Sequence, residues 1–174
     1  TCRTGTKNRM GHFWEGETAA PVANLIGAHV LATDMLSANG KGDVLMNKDH
    51  YTWNNWADLL EADANTETLA TYSNQFYKDK AAVVKHDIGK GAVTYIGVNT
   101  DDSKLETEIL KSTYMEAGAS IEDYPPGVYV YWRDGFYIAV NYSSENYILK
   151  IPVNANILIG EATLKPAGVL VWTE

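Results

Sequence analysis

The clearest patterning of apolar and polar positions lies late in the chain. Val128-Tyr129-Val130-Tyr131-Trp132-Arg133, then Asp134-Gly135, then Phe136 to Tyr142 predict a β-hairpin. Asp-Gly supplies the positive-φ pair that a two-residue turn needs. Tyr147 to Ile151, Ile157 to Leu164 and Val169 to Thr173 predict three further strands. Residues 128–174 therefore read as an antiparallel all-β unit with a thin core. Farther upstream, Thr68 to Tyr72 and Ala81 to His86 are strand candidates. Gly89-Lys90-Gly91 turns the chain into Ala92 to Val98, which is β-branched and apolar on both faces, as a buried strand would be. Trp56 to Glu61 fits a strand or a helix by pattern; its shortness and the lack of a following cap favour a strand.

Two helices are predicted. Pro21 opens a short one through Val22, Leu25 and Ile26, and Gly27 ends it. The longer spans 101–117. Asp101, Asp102 and Ser103 can cap its start, Ser103 and Glu106 form a capping box, and Gly118 stops it. Leu105, Ile109 and Thr113 share one face. A strand, a capping Asp and a helix in succession predict an α/β domain. Residues 1–20, punctuated by Gly5, Gly11 and Gly16, read as a long loop docked on something. Asp123-Tyr124-Pro125-Pro126-Gly127 reads as a stiff linker. The expected organisation is an α/β domain over 1–122 and a small antiparallel β domain over 123–174.

Charge narrows the partners. The 174 residues carry 14 basic and 22 acidic side chains, a net −8, with no basic block. Nucleic-acid affinity comes largely from Lys and Arg neutralising phosphates, so a nucleic-acid partner is not expected. No apolar run approaches the ~20 residues of a membrane span, so no membrane partner is expected either. Cys2 is the single cysteine, which rules out an intrachain disulfide and an all-cysteine zinc site. Thr1-Cys2-Arg3 shows neither an initiator Met nor a signal-peptide pattern, and reads as a chain entered partway through a folded unit.

Three segments in order, Arg3-Thr4-Gly5-Thr6-Lys7-Asn8, Trp56-Ala57-Asp58-Leu59-Leu60-Glu61 and Gly89 to Gly97, resemble the trimerisation domain of glycoside hydrolase family 42 β-galactosidases. The tail around Asn141-Tyr142-Ser143 resembles the small C-terminal β domain of the same enzymes. The resemblance implies a partial flavodoxin-like, class I glutamine amidotransferase-like domain whose N-terminal part is missing, followed by the β domain. It implies a TIM-barrel catalytic portion, carrying both catalytic glutamates, on polypeptide outside this chain. Other subunits of a homo-oligomer, by resemblance a trimer, are the remaining partners implied. A parallel sheet lacking its first strands would expose apolar edges for a neighbour to cover.

Among the carboxylates that could serve a glycosidase pair are Asp34 and Glu61; Glu61 ends a presumed strand near Asp63, which suits a solvated rim, and Asp101 and Asp102 read better as helix caps. Glu15 beside Trp14 is a candidate sugar contact, as are Tyr131 and Trp132, whose aromatic-rich β domain could alternatively serve as a carbohydrate-binding module, though each also suits core or interface packing. Arg3 and Lys7 could neutralise an interface carboxylate, and Trp53 and Trp56 could form an interface hot spot. Amidotransferase-type chemistry is not supported, since no Gly-x-Cys-x-Gly elbow surrounds Cys2. His12, His29, His50 and His86 lack metal-ligand spacing, so no metal and no cofactor are expected. Gly89-Lys90-Gly91 leads into a strand, not a helix, and is a turn rather than a phosphate loop. The lone cysteine and the resemblance suggest a cytoplasmic location; Asn141-Tyr142-Ser143 fits a glycosylation sequon and leaves an extracytoplasmic one open.

Overall fold

The computed structural model describes all 174 residues. The chain divides into two compact units, Thr1–Ala119 and Ser120–Glu174.

The first unit is built on one seven-stranded sheet: β1 (Ala28–Asp34), β2 (Gly42–Met46), β3 (Asp49–Ala62), β4 (Thr66–Tyr72), β5 (Ala81–Ile88), β6 (Gly91–Ile96) and β7 (Val98–Thr100). The order runs β1-β3-β2-β4-β5-β6, with β7 also on β3. The long β3 meets β5 again through Leu60 opposite Ala81, so the sheet curls back on itself. Helix α1 (Ala20–Ile26) precedes β1, and α2 (Lys104–Glu116) follows β7. The short helix behaves as its sequence predicts: Pro21 sits in its first turn, and Gly27 ends it at φ 62°.

Every strand pairing in this sheet is antiparallel. This corrects the α/β, flavodoxin-like expectation for residues 1–122, which requires parallel strands joined by crossover helices. The strand, capping Asp and helix that suggested it are present as β7, Asp102 and α2, but β7 pairs antiparallel with β3. Consecutive Ala81, Ala82, Val83 and Val84 are all buried, a pattern usual for parallel strands. Here the curled antiparallel sheet has two buried faces. Ala82 and Val83 join a core cluster with Leu105 and Ile109 of α2, while Ala81 and Val84 join one with Ala19 and Ile26 at α1.

Two further expectations are corrected. Ser103 and Glu106 form no capping box: Ser103 adopts a left-handed φ of 56° with no side-chain cap bond. Glu106 instead accepts hydrogen bonds from the Thr100 backbone N–H, at 2.9 Å, and from its hydroxyl, which ties the helix to β7. The Ala92–Val98 run is not one buried strand. It begins exposed and breaks at Gly97. There the backbones of three segments meet: Gly97 donates to the Ala82 carbonyl (2.8 Å) and accepts from the Asp58 N–H (2.6 Å). A Cβ at Gly97 would lie 3.0 Å from the carbonyl oxygens of both Ala82 and Asp58, so the close approach requires glycine.

The second unit contains a four-stranded antiparallel sheet, ordered β11-β13-β9-β8, and a two-stranded β10–β12 ribbon. Strands β8 (Val128–Arg133) and β9 (Phe136–Asn141) form the predicted hairpin, with Asp134 and Gly135 both at positive φ. The predicted Ile157–Leu164 strand is split into β11 (Asn156–Ile159) and β12 (Thr163–Leu164), while β10 is Tyr147–Ile148 and β13 is Val169–Thr173. Val128, Ala139, Leu149, Leu164, Leu170 and Trp172 form its core.

Candidate functional site

The most constrained constellation in the first unit gathers around a carboxylate that β3 carries inward. Asp58 lies in the apolar stretch Ala57-Asp58-Leu59-Leu60 and is fully buried. Its two oxygens are met by donors from three directions. Trp56 Nε1–H donates at 2.6 Å, the Tyr95 hydroxyl at 2.8 Å and the Arg3 backbone N–H at 3.2 Å. The Tyr72 hydroxyl donates to the Asp58 carbonyl at 2.9 Å. A buried carboxylate survives only with such partners. Burial, reinforced by the Asp58 charge, holds the Tyr72 and Tyr95 hydroxyls protonated far above the usual tyrosine range.

Asp58 thereby fastens residues 1–6 to the sheet. Arg3 turns with φ 65°, lays its guanidinium 4.5 Å from the centroid of the Trp56 ring, and accepts from the Thr6 hydroxyl on its own carbonyl. Cys2 lies half-buried beside it. Burial first, and the Asp58 charge second, push its thiol up, opposite to what a nucleophilic cysteine needs. With its oxygens spent on internal donors, Asp58 is an anchor rather than an acid or base for a ligand.

The other expected residues are spread apart. Trp53 is fully buried in the core and edge-on to Tyr72, so its ring is unavailable to another subunit and the interface expectation there is corrected. Trp56 is half-buried and occupied by Arg3 and Asp58. Lys7 and Phe13 bridge the base of a small hairpin, with Lys7 Nζ 5.3 Å from the Phe13 ring centroid. Trp14 and Glu15 follow it, both exposed, together with Met10 and Phe13. The predicted loop is thus a folded hairpin that presents apolar side chains. Tyr131 and Trp132 are exposed, but as neighbours on β8 they point to opposite sides of the sheet, so they cannot stack on one sugar together.

Each histidine except His12 has a local partner: His29 with Glu17 and, at 3.6 Å, Asp63; His50 with Asp43; His86 with the Thr66 hydroxyl at 3.0 Å. No group of three or more His, Cys, Asp or Glu side chains is placed to hold a metal ion. Asp34 accepts from the Tyr77 hydroxyl at 2.6 Å, and Asp102 accepts from the Lys104 N–H at the helix start. No helix is long and apolar enough to cross a membrane.

Asn141 bears on the sequon. It is fully buried, and its amide donates to the carbonyls of Glu145 (2.7 Å) and Leu164 (2.9 Å). Its oxygen accepts from the Ser143 N–H and hydroxyl. In the folded unit this nitrogen has no room for a glycan.

The sequence pattern alone does not single out Asp58, although it lies within Trp56-Ala57-Asp58-Leu59-Leu60-Glu61. Its signal is an acid placed among apolar residues of a buried strand, which demands donors from elsewhere.

The comparisons agree with this architecture. Residues 1–120 match the model of the β-galactosidase trimerisation domain, and residues 129–174 match that of the β-galactosidase C-terminal domain. The β-galactosidase BgaH of Haloferax lucentense is 28% identical over 165 residues, 93% of this chain and 24% of its own length. The solved β-galactosidase of the Antarctic haloarchaeon Halorubrum lacusprofundi superposes with a TM-score of 0.86 at 25% identity, covering 99% of this chain and 26% of its own. That of the psychrophilic Marinomonas ef1 gives 0.79 at 25% identity, with 99% and 24% coverage. The chain spans about a quarter of the length of these relatives. It belongs to the glycoside hydrolase family 42 β-galactosidases, as their trimerisation and C-terminal domains.

Proposed function

We propose that this chain is the non-catalytic oligomerisation and accessory region of a β-galactosidase-like glycoside hydrolase. The parent would hydrolyse terminal β-D-galactosides on a barrel in polypeptide outside this chain, and this region would hold its subunits together. The observation that carries the reading is the trimerisation-domain match over residues 1–120. The exposed Phe13 and Trp14 on the N-terminal hairpin are the surfaces it offers to a neighbouring subunit. A stable obligate assembly buries roughly 2,000 Å² or more.

Within this reading the domains are 1–122 and 123–174, a division supported by the nearby break between the compact units Thr1–Ala119 and Ser120–Glu174. A cytoplasmic location is the reading that the lone cysteine supports, and the burial of Asn141 favours it over an extracytoplasmic one.

Sedimentation equilibrium of the full-length polypeptide tests the proposal. A homotrimer is expected, weakened by Trp14→Ala with Phe13→Ala; a monomer at micromolar concentration overturns it. Nitrophenyl galactoside turnover by the 174-residue chain alone would overturn the non-catalytic assignment.

A further inference from the structure

The four-stranded sheet of the second unit has two apolar faces, and only one of them serves its core. Along β8 and β9 the inward set is Val128, Val130, Ala139 and Asn141. The alternate positions make a second set. Tyr131 pairs with Ile138, Ile138 with Val171, and Val171 with Ile159, one row across all four strands. Tyr129, Val140 and Val169 make a second row beside it. The Tyr129 and Tyr131 rings lie parallel with centroids 6.3 Å apart, which confirms a shared face, and Tyr142 meets Tyr129 edge-on. Tyr131 is 60% exposed, Ile159 59% and Val169 42%. No charged side chain interrupts the two rows, and Arg133 lies at their margin, paired with Phe136. An apolar centre with a polar rim is the anatomy of a protein interface.

We propose that this outer face docks against the N-terminal three-quarters of the same polypeptide, the portion that the relatives have and this chain lacks. The inference rests on the reading that the chain is part of a longer glycoside hydrolase. Three observations select this occupant. The trimerisation match stops at residue 120, so the second unit is not the segment assigned to contacts between copies. A tethered partner has an effective concentration of roughly millimolar, so it can be held by less buried area than a free partner needs. A sugar-stacking site combines rings with converging hydrogen-bonding groups, yet the centre here is Ile138, Val140, Val169 and Val171.

The test places single cysteine reporters, Val169→Cys and Ile159→Cys, in a Cys2→Ser background, with Val153→Cys as a fully exposed control on a loop. Maleimide labelling is timed in the 174-residue chain and in the full-length polypeptide. The expected result is labelling slowed about ten-fold or more at 159 and 169 in the full-length polypeptide only, independent of its concentration, with the control unchanged. Equal rates in the two would overturn the inference. So would protection in the short chain that grows with concentration (a second copy), or that appears only on adding galactose or galactobiose (a sugar site). Sedimentation of the same samples separates the two claims. A monomeric full-length polypeptide that still protects both reporters removes the oligomer reading and leaves the docking face. A trimer with unprotected reporters does the reverse.

Discussion

The two units of this chain each bury an anchor of a different kind. The first uses a carboxylate, Asp58, and the second an amide, Asn141, both fully buried. Asp58 gathers donors from Arg3, Trp56 and Tyr95, up to 55 residues away. Asn141 works locally, holding the Ser143–Glu145 turn and one carbonyl of β12. A neutral amide can satisfy itself completely, with two donations and two acceptances, and needs nothing from outside. A buried charge depends on every donor being present, and its bonds are stronger for being charge-assisted. The charged anchor therefore makes the N-terminal segment an integral part of the first unit, while the amide makes the second unit self-sufficient.

The largest effect should come from deleting the charged anchor. Asp58→Ala leaves the Trp56 N–H, the Tyr95 hydroxyl and the Arg3 N–H without their acceptor, and opens a small cavity. A loss of about 3–5 kcal/mol is expected in urea unfolding. Hydrogen exchange should show residues 1–6 freed first. Asn141→Ala should cost about 2–3 kcal/mol, confined to the second unit and read from the exchange of β9 and β12 amides. Equal costs at both sites would remove the distinction between charged and neutral anchors.

Much of this was legible in the sequence where local chemistry decides the backbone. Asp134-Gly135, Gly89-Lys90-Gly91, and Pro21 with Gly27 each impose a turn or a helix end by their own φ preferences, and each holds. Strand direction was not legible, because buried antiparallel and buried parallel strands share one apolar pattern, as Ala81–Val84 shows. Ser103 and Glu106 have the spacing of a capping box, but Thr100 of β7 competes for the Glu106 carboxylate and wins. Trp53 and Trp56 look alike in sequence, and only the tertiary fold sends one into the core and the other under Arg3. The anchor role of Asp58 depends on Tyr95 and Arg3, which no local pattern connects to it.

A milder change sharpens the same comparison. Tyr95→Phe removes one donor and keeps the ring, so Asp58 retains the Trp56 and Arg3 bonds. The expected cost is about 1–2 kcal/mol, between a surface change and loss of the anchor. Combining it with Asp58→Ala should add little, since the second change removes the acceptor that the first had addressed. A double-mutant cycle by urea unfolding measures the coupling.

The smallest effect distinguishes a buried charge from an exposed one. His29 on β1 is bonded to Glu17, with Asp63 at 3.6 Å and Glu61 nearby, and the Glu17 hydrogen bond is the main cause that pushes its pKa up. The folded state thus binds a proton more tightly than the unfolded chain. That contribution is fully present below the unfolded histidine value of about 6.5 and disappears as pH rises through the higher folded value. His29 and Glu17 side chains are 44% and 39% exposed, so solvent screening limits the effect to a few tenths of a kcal/mol. Urea midpoints of wild type and His29→Gln should therefore differ slightly at pH 6 and converge as the imidazole deprotonates. About 0.5 M salt should erase the difference, because exposed pairs are screened at that ionic strength. A difference that grew with pH would reverse the sign of the linkage and show that neutral His29 is the form the fold prefers.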